Sequence, residues 1–262
     1  MNIRSFGATF LVAVCLLWAV APGHAQDWGG LQRFAAANAA LAPASADQPR
    51  VILLGDSITE IWPDRHPVFF EETGYIGRGI SGQVSAQMLV RFRQDVINLQ
   101  PTVVVINAGT NDVAENQGPY SEDFTFGNIV SMTELAKANG ISVVLTSVLP
   151  AAAFRWRPAI TDAADKIAAL NARIRAYAAE QGIPYVDYYS ALVVDDPSRA
   201  LNSAYSNDGV HPVAAGYEVM EPLVVKAISD ALSFRSPCCS DHCHYSYDAP
   251  LRSFVVCSVR HL

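Results

Sequence analysis

The chain has 262 residues, of which 51% are hydrophobic and 16% are charged. This composition is typical of a compact globular protein and excludes general disorder. Lys and Arg number 18 against 25 Asp and Glu, for a formal net charge of −7, so the long-range field repels phosphate backbones and no nucleic-acid partner is expected.

The N-terminal region has the pattern of a secretory signal peptide. Arg4 precedes an apolar run from Phe10 to Ala21, and small residues follow at the positions that a signal peptidase inspects. A membrane anchor is the alternative, but the run is shorter than the roughly 20 residues that span a bilayer. We therefore expect residues 1–25 to be removed, a periplasmic or secreted location, and no stable membrane insertion.

Beyond this leader, short β-branched runs alternate with longer helical periods, which is typical of units that build a parallel sheet. The predicted strands are residues 51–54, 75–79, 102–107, 142–146 and 184–187. The predicted helices are residues 83–99, 121–139, 161–182 and 212–232. Because no internal repeat or linker is evident, residues 26–234 are predicted to form one three-layer α/β/α domain with a five-stranded parallel sheet. Ligands of such sheets bind at the carboxyl ends of the strands.

Ser57 follows the first predicted strand directly. Gly55 permits a sharp exit from the strand, and Ser57 then stands where a helix begins, which exposes its hydroxyl. The ordinary role of serine at such a position is to cap the helix. The other role is that of a nucleophile, which needs a neighbouring base, usually histidine.

Only two histidines lie in the predicted domain. His66 stands between Arg65 and Pro67 and is expected at the surface. His211 stands three residues after Asp208, so that the carboxylate can orient the imidazole if the turn between them folds back. A plain Asp-Gly turn leading into a helix is the alternative for this segment.

Two further residues follow predicted strands and offer hydrogen-bond donors for an oxyanion. Gly82 can present a backbone N–H where a side chain would obstruct the substrate. Asn111 can present its side-chain amide after the third strand. Both are also ordinary turn residues, so neither is specific by itself.

Taken together, the motifs at 55–57 (GDS), 82 (G), 109–112 (GTND) and 208–211 (DGVH) resemble those of the SGNH, or GDSL-type, hydrolases in content and order. The chain looks most like the branch that includes platelet-activating-factor acetylhydrolase alpha subunits and bacterial acylhydrolases. The resemblance implies a flavodoxin-like fold and hydrolysis of carboxylic esters. It implies neither a metal ion nor an organic cofactor.

The resemblance also implies a role for each motif residue. Ser57 is then the nucleophile, His211 the base and Asp208 its orienting acid. The backbone N–H groups of Ser57 and Gly82 and the side chain of Asn111 form the oxyanion hole. The expected chemistry is acyl transfer through an acyl-enzyme, which water later hydrolyses.

Two other acidic motif residues, Asp56 and Asp112, are expected to stabilise turns. One alternative to an enzyme is a secreted binding module that has the same fold but no catalytic activity. The sequence alone does not distinguish the two. A dinucleotide-binding protein is a further alternative, because Gly77, Gly79 and Gly82 satisfy G-x-G-x-x-G. The acidic residue expected at the end of the next strand is absent, since that strand ends at Asn107.

Three aromatic residues in loops after the first and fourth strands are candidate substrate-binding residues: Trp62, Phe154 and Trp156. They either line a pocket for a sugar or aryl group or, for Trp62 and Phe154, cap the core. A small-molecule or carbohydrate ester is the expected substrate. The acyl group is expected to be short, because no connection is long enough for a lipase lid or a long acyl groove.

The chain has five cysteines, and Cys15 lies in the leader. The other four lie in the C-terminal residues 235–262: Cys238, Cys239, Cys243 and Cys257. Their spacing fits no zinc pattern. We expect a poorly ordered tail that the domain does not need, and the sequence leaves the oligomeric state open.

Overall fold

A computed structural model describes residues 27–45 and 47–233 of the chain. The predicted signal peptide and the cysteine-containing tail both lie outside the described residues. The expectations for these two segments therefore stay predictions.

The strands are β1 (Val51–Gly55), β2 (Ile76–Gly79), β3 (Val103–Ile106), β4 (Ser142–Thr146) and β5 (Tyr185–Val186). They pair in parallel in the order β2-β1-β3-β4-β5. The predicted five-stranded parallel sheet is confirmed, and the order is the flavodoxin-like one. Its switch point, where the chain turns from one side of β1 to the other, lies between β1 and β3.

The helices are α1 (Ala35–Ala39), α2 (Ser57–Glu60), α3 (Trp62–Arg65), α4 (Pro67–Thr73), α5 (Ser85–Asp95), α6 (Thr110–Val113), α7 (Glu122–Ala138), α8 (Ala163–Glu180), α9 (Tyr188–Leu192) and α10 (Ala214–Ser233). A 3₁₀ turn over Ile97–Leu99 follows α5. The four predicted helices correspond to α5, α7, α8 and α10. The short helices were not predicted, because elements of four to seven residues are too short to show a periodic apolar face. No described helix is both long enough and apolar enough to cross a membrane.

Successive strand side chains point to opposite faces of the sheet, and each face has its own core. Ile52 and Leu54 of β1 belong to the cluster formed with α5, α7 and α8. Val51 and Leu53 belong to the cluster formed with α10 and the short helices α3, α4 and α9. The strands are therefore apolar on both faces, which is the reason that they appear as continuous apolar runs in the sequence.

Residues 27–41, which we call the N-terminal strap, lie along α5 without joining the sheet. Side-chain amides of three glutamines donate to backbone carbonyls of the strap: Gln83 to Gly29 (2.9 Å), Gln87 to Trp28 (2.7 Å) and Gln94 to Leu31. Most strap side chains are exposed. The strap is thus held mainly by single hydrogen bonds.

Candidate active site

Polar side chains converge at the carboxyl end of the sheet, beside the switch point between β1 and β3. The larger surface cavities lie elsewhere: one of about 630 Å³ borders Gln100 and Gly140, and one of about 380 Å³ borders Gly182 and Pro184. Those residues follow helices and precede strands, so they lie at the opposite edge. The site is therefore located by its chemistry and not by cavity volume.

Ser57 is the first residue of α2, but the helix cap is its neighbour. The Asp56 carboxylate accepts a hydrogen bond from the backbone N–H of Ile58 (2.9 Å) and caps α2. Ser57 is thereby freed from the capping role that its position suggested. Gly79 permits α2 to lie directly against β2, since a Cβ at Gly79 would stand 2.2 Å from the backbone nitrogen of Glu60.

His211 lies beside Ser57, with Ser57 Oγ 2.9 Å from His211 Nε2. On its other side, His211 Nδ1 is 2.7 Å from Asp208 Oδ2. Gly209 has a φ of 81°, which turns the chain back so that residues three apart face each other. The structure thus brings together the three residues of the predicted Ser-His-Asp constellation.

Asp208 is held in its ionised form by hydrogen bonds. Partial burial would raise its pKa, but the His211 ring and the backbone N–H groups of His211 and Val210 outweigh burial and lower the pKa below its usual range. An ionised carboxylate can only accept, so His211 Nδ1 must carry the hydrogen. In the neutral imidazole, Nε2 is then the acceptor, and it lies next to the Ser57 hydroxyl.

The backbone N–H groups of two motif residues are the candidates for oxyanion donors. Neither the N–H of Ser57 nor that of Gly82 has a hydrogen-bond acceptor within residues 27–45 and 47–233. Gly82 has a φ of 77°, and a Cβ built there would meet no atom within 4 Å. The space next to Gly82 is therefore open to a ligand.

Asn111 is 3% exposed and joins the two donor segments. Its Nδ2 donates to Asp56 Oδ2 (3.1 Å) and to the backbone carbonyl of Gln83 (3.1 Å). Asp56 precedes Ser57 and Gln83 follows Gly82, so Asn111 stands between the two free backbone donors. Because both of its amide hydrogens are donated, Asn111 reaches an oxyanion by sharing or exchanging one of these bonds.

Asp56 and Asp112 are both buried carboxylates at helix starts. Burial raises the pKa of Asp56 to about 6, although the N–H of Ile58 and the charge of His211 act against the rise. Burial also raises the pKa of Asp112, against hydrogen bonds from the hydroxyl and the N–H of Ser85. Both side chains hold backbone turns, and Asp56 in addition holds Asn111.

Arg91 supports this region from beneath and is fully buried. Its guanidinium donates to the backbone carbonyls of Gly55 (2.9 Å) and Arg78 (3.0 Å), at the carboxyl ends of β1 and β2. It also donates to the side chain of Gln83 (2.6 Å) and pairs with Asp95 (3.2 Å). The loop that carries Gly82 is thus fixed to the ends of two strands.

The three aromatic candidates separate into two groups. Trp62 (3% exposed) stacks on Phe69 and Tyr217 in the α10 core, and Phe154 is completely buried. Of the two roles that the sequence leaves open for Trp62 and Phe154, burial favours the one in the core, because both rings are packed inside the protein. Trp156 is 45% exposed, and its ring lies 6.4 Å from that of His211 at an interplanar angle of 28°. Trp156 is therefore at the rim of the site.

His66 lies away from this constellation. Its Nδ1 is 2.7 Å from Glu221 of α10, whose carboxylate also accepts from the indole of Trp62. Among the described residues, no group of three His, Cys, Asp or Glu side chains is arranged to hold a metal ion.

Sequence reasoning missed the residues that surround Asn111. Arg91 is one of two arginines in its helix, and nothing in the pattern distinguishes it as buried from the exposed Arg93. Asn116, whose amide contacts Asn111, lies in a loop of polar residues without any motif. Their partners are distant in sequence, so only the fold reveals them.

Comparison with known proteins agrees with this fold. The sequence model of the GDSL-like lipase/acylhydrolase family matches residues 53–219. A GDSL-like lipase from Bacteroides thetaiotaomicron is 59% identical, with 78% of this chain and 99% of that chain covered and a TM-score of 0.77. A protein from Bacteroides fragilis described as an acylhydrolase is 60% identical, with 79% and 99% covered and a TM-score of 0.78.

An acetylxylan esterase from Geobacillus stearothermophilus is more distant. It is 18% identical, with 69% of this chain and 94% of that chain covered and a TM-score of 0.53, so this likeness shows the fold alone. None of the curated proteins compared with the chain matches it.

Proposed function

Since the chain belongs to the GDSL-like lipase/acylhydrolase family and is a carboxylic ester hydrolase, we propose that it is an exported serine esterase that removes short acyl groups through a Ser57 acyl-enzyme. The observation that carries the mechanism is the contact of Ser57 Oγ with His211 Nε2 at 2.9 Å. The Asp208 contact at 2.7 Å supports it, because an oriented neutral imidazole is the base that a serine nucleophile needs.

The proposed reaction proceeds in two steps. His211 Nε2 takes the proton of Ser57 as the oxygen attacks the ester carbonyl, and His211 then gives this proton to the leaving alcohol. Water, deprotonated by the same nitrogen, attacks the acyl-enzyme and releases the carboxylic acid and the free Ser57 hydroxyl. The imidazolium that forms in each step is stabilised by Asp208.

Negative charge on the carbonyl oxygen has three proposed donors. The N–H groups of Ser57 and Gly82 have no acceptor among the described residues, and Asn111 Nδ2 binds the segments on either side of them. Removing one donor of this kind typically costs a factor of about 10²–10³ in rate.

The proposals of short acyl groups and of export rest on the connections around the site and on the leader sequence. The longest connection after a strand at the site edge, residues 147–162 between β4 and α8, holds Phe154 in the core and has no helix that could act as a lid. An exposed Trp156 at the rim is suited to an alcohol with an apolar or sugar face. Location outside the cytoplasm is proposed from the leader sequence.

Active-site labelling tests the nucleophile against the alternative of a silent binding module. We expect a fluorophosphonate probe to label the wild type at Ser57, and the Ser57→Ala variant to remain unlabelled and to lose at least 10³-fold in ester hydrolysis. Circular dichroism and thermal midpoint control for folding. A folded wild-type protein that neither labels nor hydrolyses any ester would leave the binding module as the better account.

A series of p-nitrophenyl esters tests the acyl length. We expect kcat/KM to be greatest between acetyl and butyryl esters. A maximum at eight carbons or more would contradict the short-acyl proposal without affecting the assignment of Ser57. Acetate release from acetylated oligosaccharides, measured beside these esters, tests whether the alcohol part of the substrate is a sugar.

A further inference from the structure

A chain of side-chain hydrogen bonds runs from the rim of the site to Asn111. The exposed indole of Trp156 donates its Nε1–H to Asn116 Oδ1 (2.9 Å). Asn116 Nδ2 donates in turn to Asn111 Oδ1 (2.6 Å). Asn111 Nδ2 then donates to Asp56 (3.1 Å), next to Ser57 in sequence. Among the described residues, Asn116 thus links the rim tryptophan to the buried amide.

The backbone before Asn116 is bent in an unfavourable way. Glu115 has a φ of 55°, a left-handed conformation that glycine usually supplies after a helix. A non-glycine residue in this conformation typically costs about 1 kcal/mol or more. The bend returns the chain over α6, where the N–H of Asn116 donates to the Asn111 carbonyl (3.1 Å). Both the backbone and the side chain of Asn116 therefore bind Asn111.

The bonds also fix which end of the Asn111 amide faces the site. The oxygen of the amide can accept from Asn116 only if the nitrogen points towards Asp56 and Gln83. If Asn116 did not donate, the Asn111 amide would lose the one side-chain contact at its oxygen and would be held only through its nitrogen, by the bonds to Asp56 and Gln83. The proposed oxyanion donor is then less well oriented for the tetrahedral intermediate.

We propose that Asn116 is a positioning residue that aligns the Asn111 amide for oxyanion binding and couples this alignment to Trp156 at the rim. This inference rests on the proposed function. Asn116 touches neither the nucleophile nor the base, so it acts through Asn111. Its effect should appear in kcat and not in substrate binding, because the bound ester carries no oxyanion and the charge develops only as the tetrahedral intermediate forms.

Substitutions at Asn116 and Trp156 test the hydrogen bonds of this series separately. Asn116→Leu removes both side-chain bonds at similar size. Asn116→Asp keeps the acceptor for Trp156 but removes the donor to Asn111. Trp156→Phe keeps an aromatic ring at the rim while removing the indole N–H. The matched control is Gln117→Leu, which removes the bond that Gln117 accepts from the indole of Trp28 (3.3 Å). Gln117 lies next to Asn116 in the same loop, and its bond involves neither Asn111 nor Trp156.

With p-nitrophenyl acetate we expect Asn116→Leu and Asn116→Asp to lower kcat about 10- to 100-fold while KM changes less than about threefold. Trp156→Phe should lower kcat about three- to tenfold, and Gln117→Leu should have no effect. In the Asn116→Leu background, Trp156→Phe should cause no further loss, since the indole acts through Asn116. The inhibition constant of benzeneboronic acid, a tetrahedral mimic, should rise in parallel with the loss in kcat.

The inference is overturned if folded Asn116→Leu keeps the wild-type kcat, if its loss appears in KM alone, or if Gln117→Leu has an equal effect. The Ser57→Ala variant separates this failure from failure of the proposed function. If Ser57→Ala is inactive while Asn116→Leu is fully active, only the positioning role is wrong. If Ser57→Ala keeps its activity, the proposed function itself fails.

Discussion

The two halves of the site are built in different ways. The half that contains His211 and Asp208 is local: three residues separate the two, and one turn at Gly209 brings them into contact. The half that contains Asn111 is assembled from distant segments, with Asp56 and Gln83 as its hydrogen-bond partners. Beneath this second half lies the buried guanidinium of Arg91.

This difference bears on how each half tolerates change. In the local half, the contacts of Asp208 are made within a short segment, so a substitution of Asp208 should alter the chemistry and leave the fold intact. In the assembled half, buried polar groups satisfy one another, and removing one leaves partners unpaired in a low-dielectric environment. Substitutions there should alter stability together with activity.

The largest expected effect is in the local half. Asp208→Asn should lower kcat about 10²- to 10⁴-fold with little change in KM, because an amide no longer fixes the tautomer and orientation of His211. The free energy of unfolding near pH 7 should fall only slightly, since Asp208 is partly exposed. Steady-state kinetics with p-nitrophenyl acetate and urea denaturation measure the two quantities. A large change in KM with an unaltered kcat would show a binding role instead.

Arg91→Met tests the assembled half. It leaves Asp95 without its charged partner and two strand carbonyls without a donor, so we expect the free energy of unfolding to fall by about 3–5 kcal/mol. Arg93→Met is the matched control, because Arg93 lies on the same helix but is exposed and should change stability by less than about 0.5 kcal/mol. Equal effects of the two substitutions would contradict the comparison. Urea denaturation at pH 7 provides the measurement.

Asp56→Asn should give a pH-dependent change in stability. Burial raises the pKa of Asp56 from about 3.9 in the unfolded chain to about 6 in the folded chain. Between these values the folded state binds more protons, so this group lowers the stability of the wild type as the pH rises from about 4 to 6. The variant lacks this ionisation, and its stability relative to the wild type should therefore rise by about 2–3 kcal/mol over the same interval and level off above it.

Denaturation of both proteins at pH 4, 5, 6 and 7 tests the sign. A difference in stability that stays constant with pH would show that Asp56 titrates alike in the folded and unfolded chains. We also expect kcat to fall in the variant, because an amide at position 56 competes with Asn111 as a donor.

The smallest effect on activity is expected at Trp62, which belongs to neither half of the site. Trp62→Phe should keep kcat/KM within about twofold of the wild type, because the ring belongs to the α10 core. It loses the bond to Glu221 and some packing, so stability should fall by about 1–2 kcal/mol. A tenfold loss of activity with unchanged stability would restore Trp62 as a substrate-binding residue.

The fold could be predicted from the sequence because strands buried on both faces, such as the runs ending at Leu54 and Ile106, are apolar without interruption. The local half of the site could be predicted for a similar reason, since Asp208 and His211 lie within one short segment. The assembled half could not, because the contacts of Arg91 and Asn116 link residues whose proximity is created by the sheet. Trp62 and Trp156 look alike in sequence, and only packing separates a core ring from an exposed one.

The N-terminal strap has a consequence for the way in which heat inactivates the protein. It is held by amide-to-carbonyl bonds from Gln83, Gln87 and Gln94 and by side-chain bonds of its own Arg33 and Asn38, and its side chains bury little apolar surface. Segments of this kind open at a free-energy cost well below that of global unfolding. Opening of the strap frees the Gln83 side chain, which also binds Arg91 beneath the Gly82 loop. Hydrogen exchange should therefore be fastest in the strap, and enzyme activity should decline at temperatures where the strands of the sheet are still fully protected.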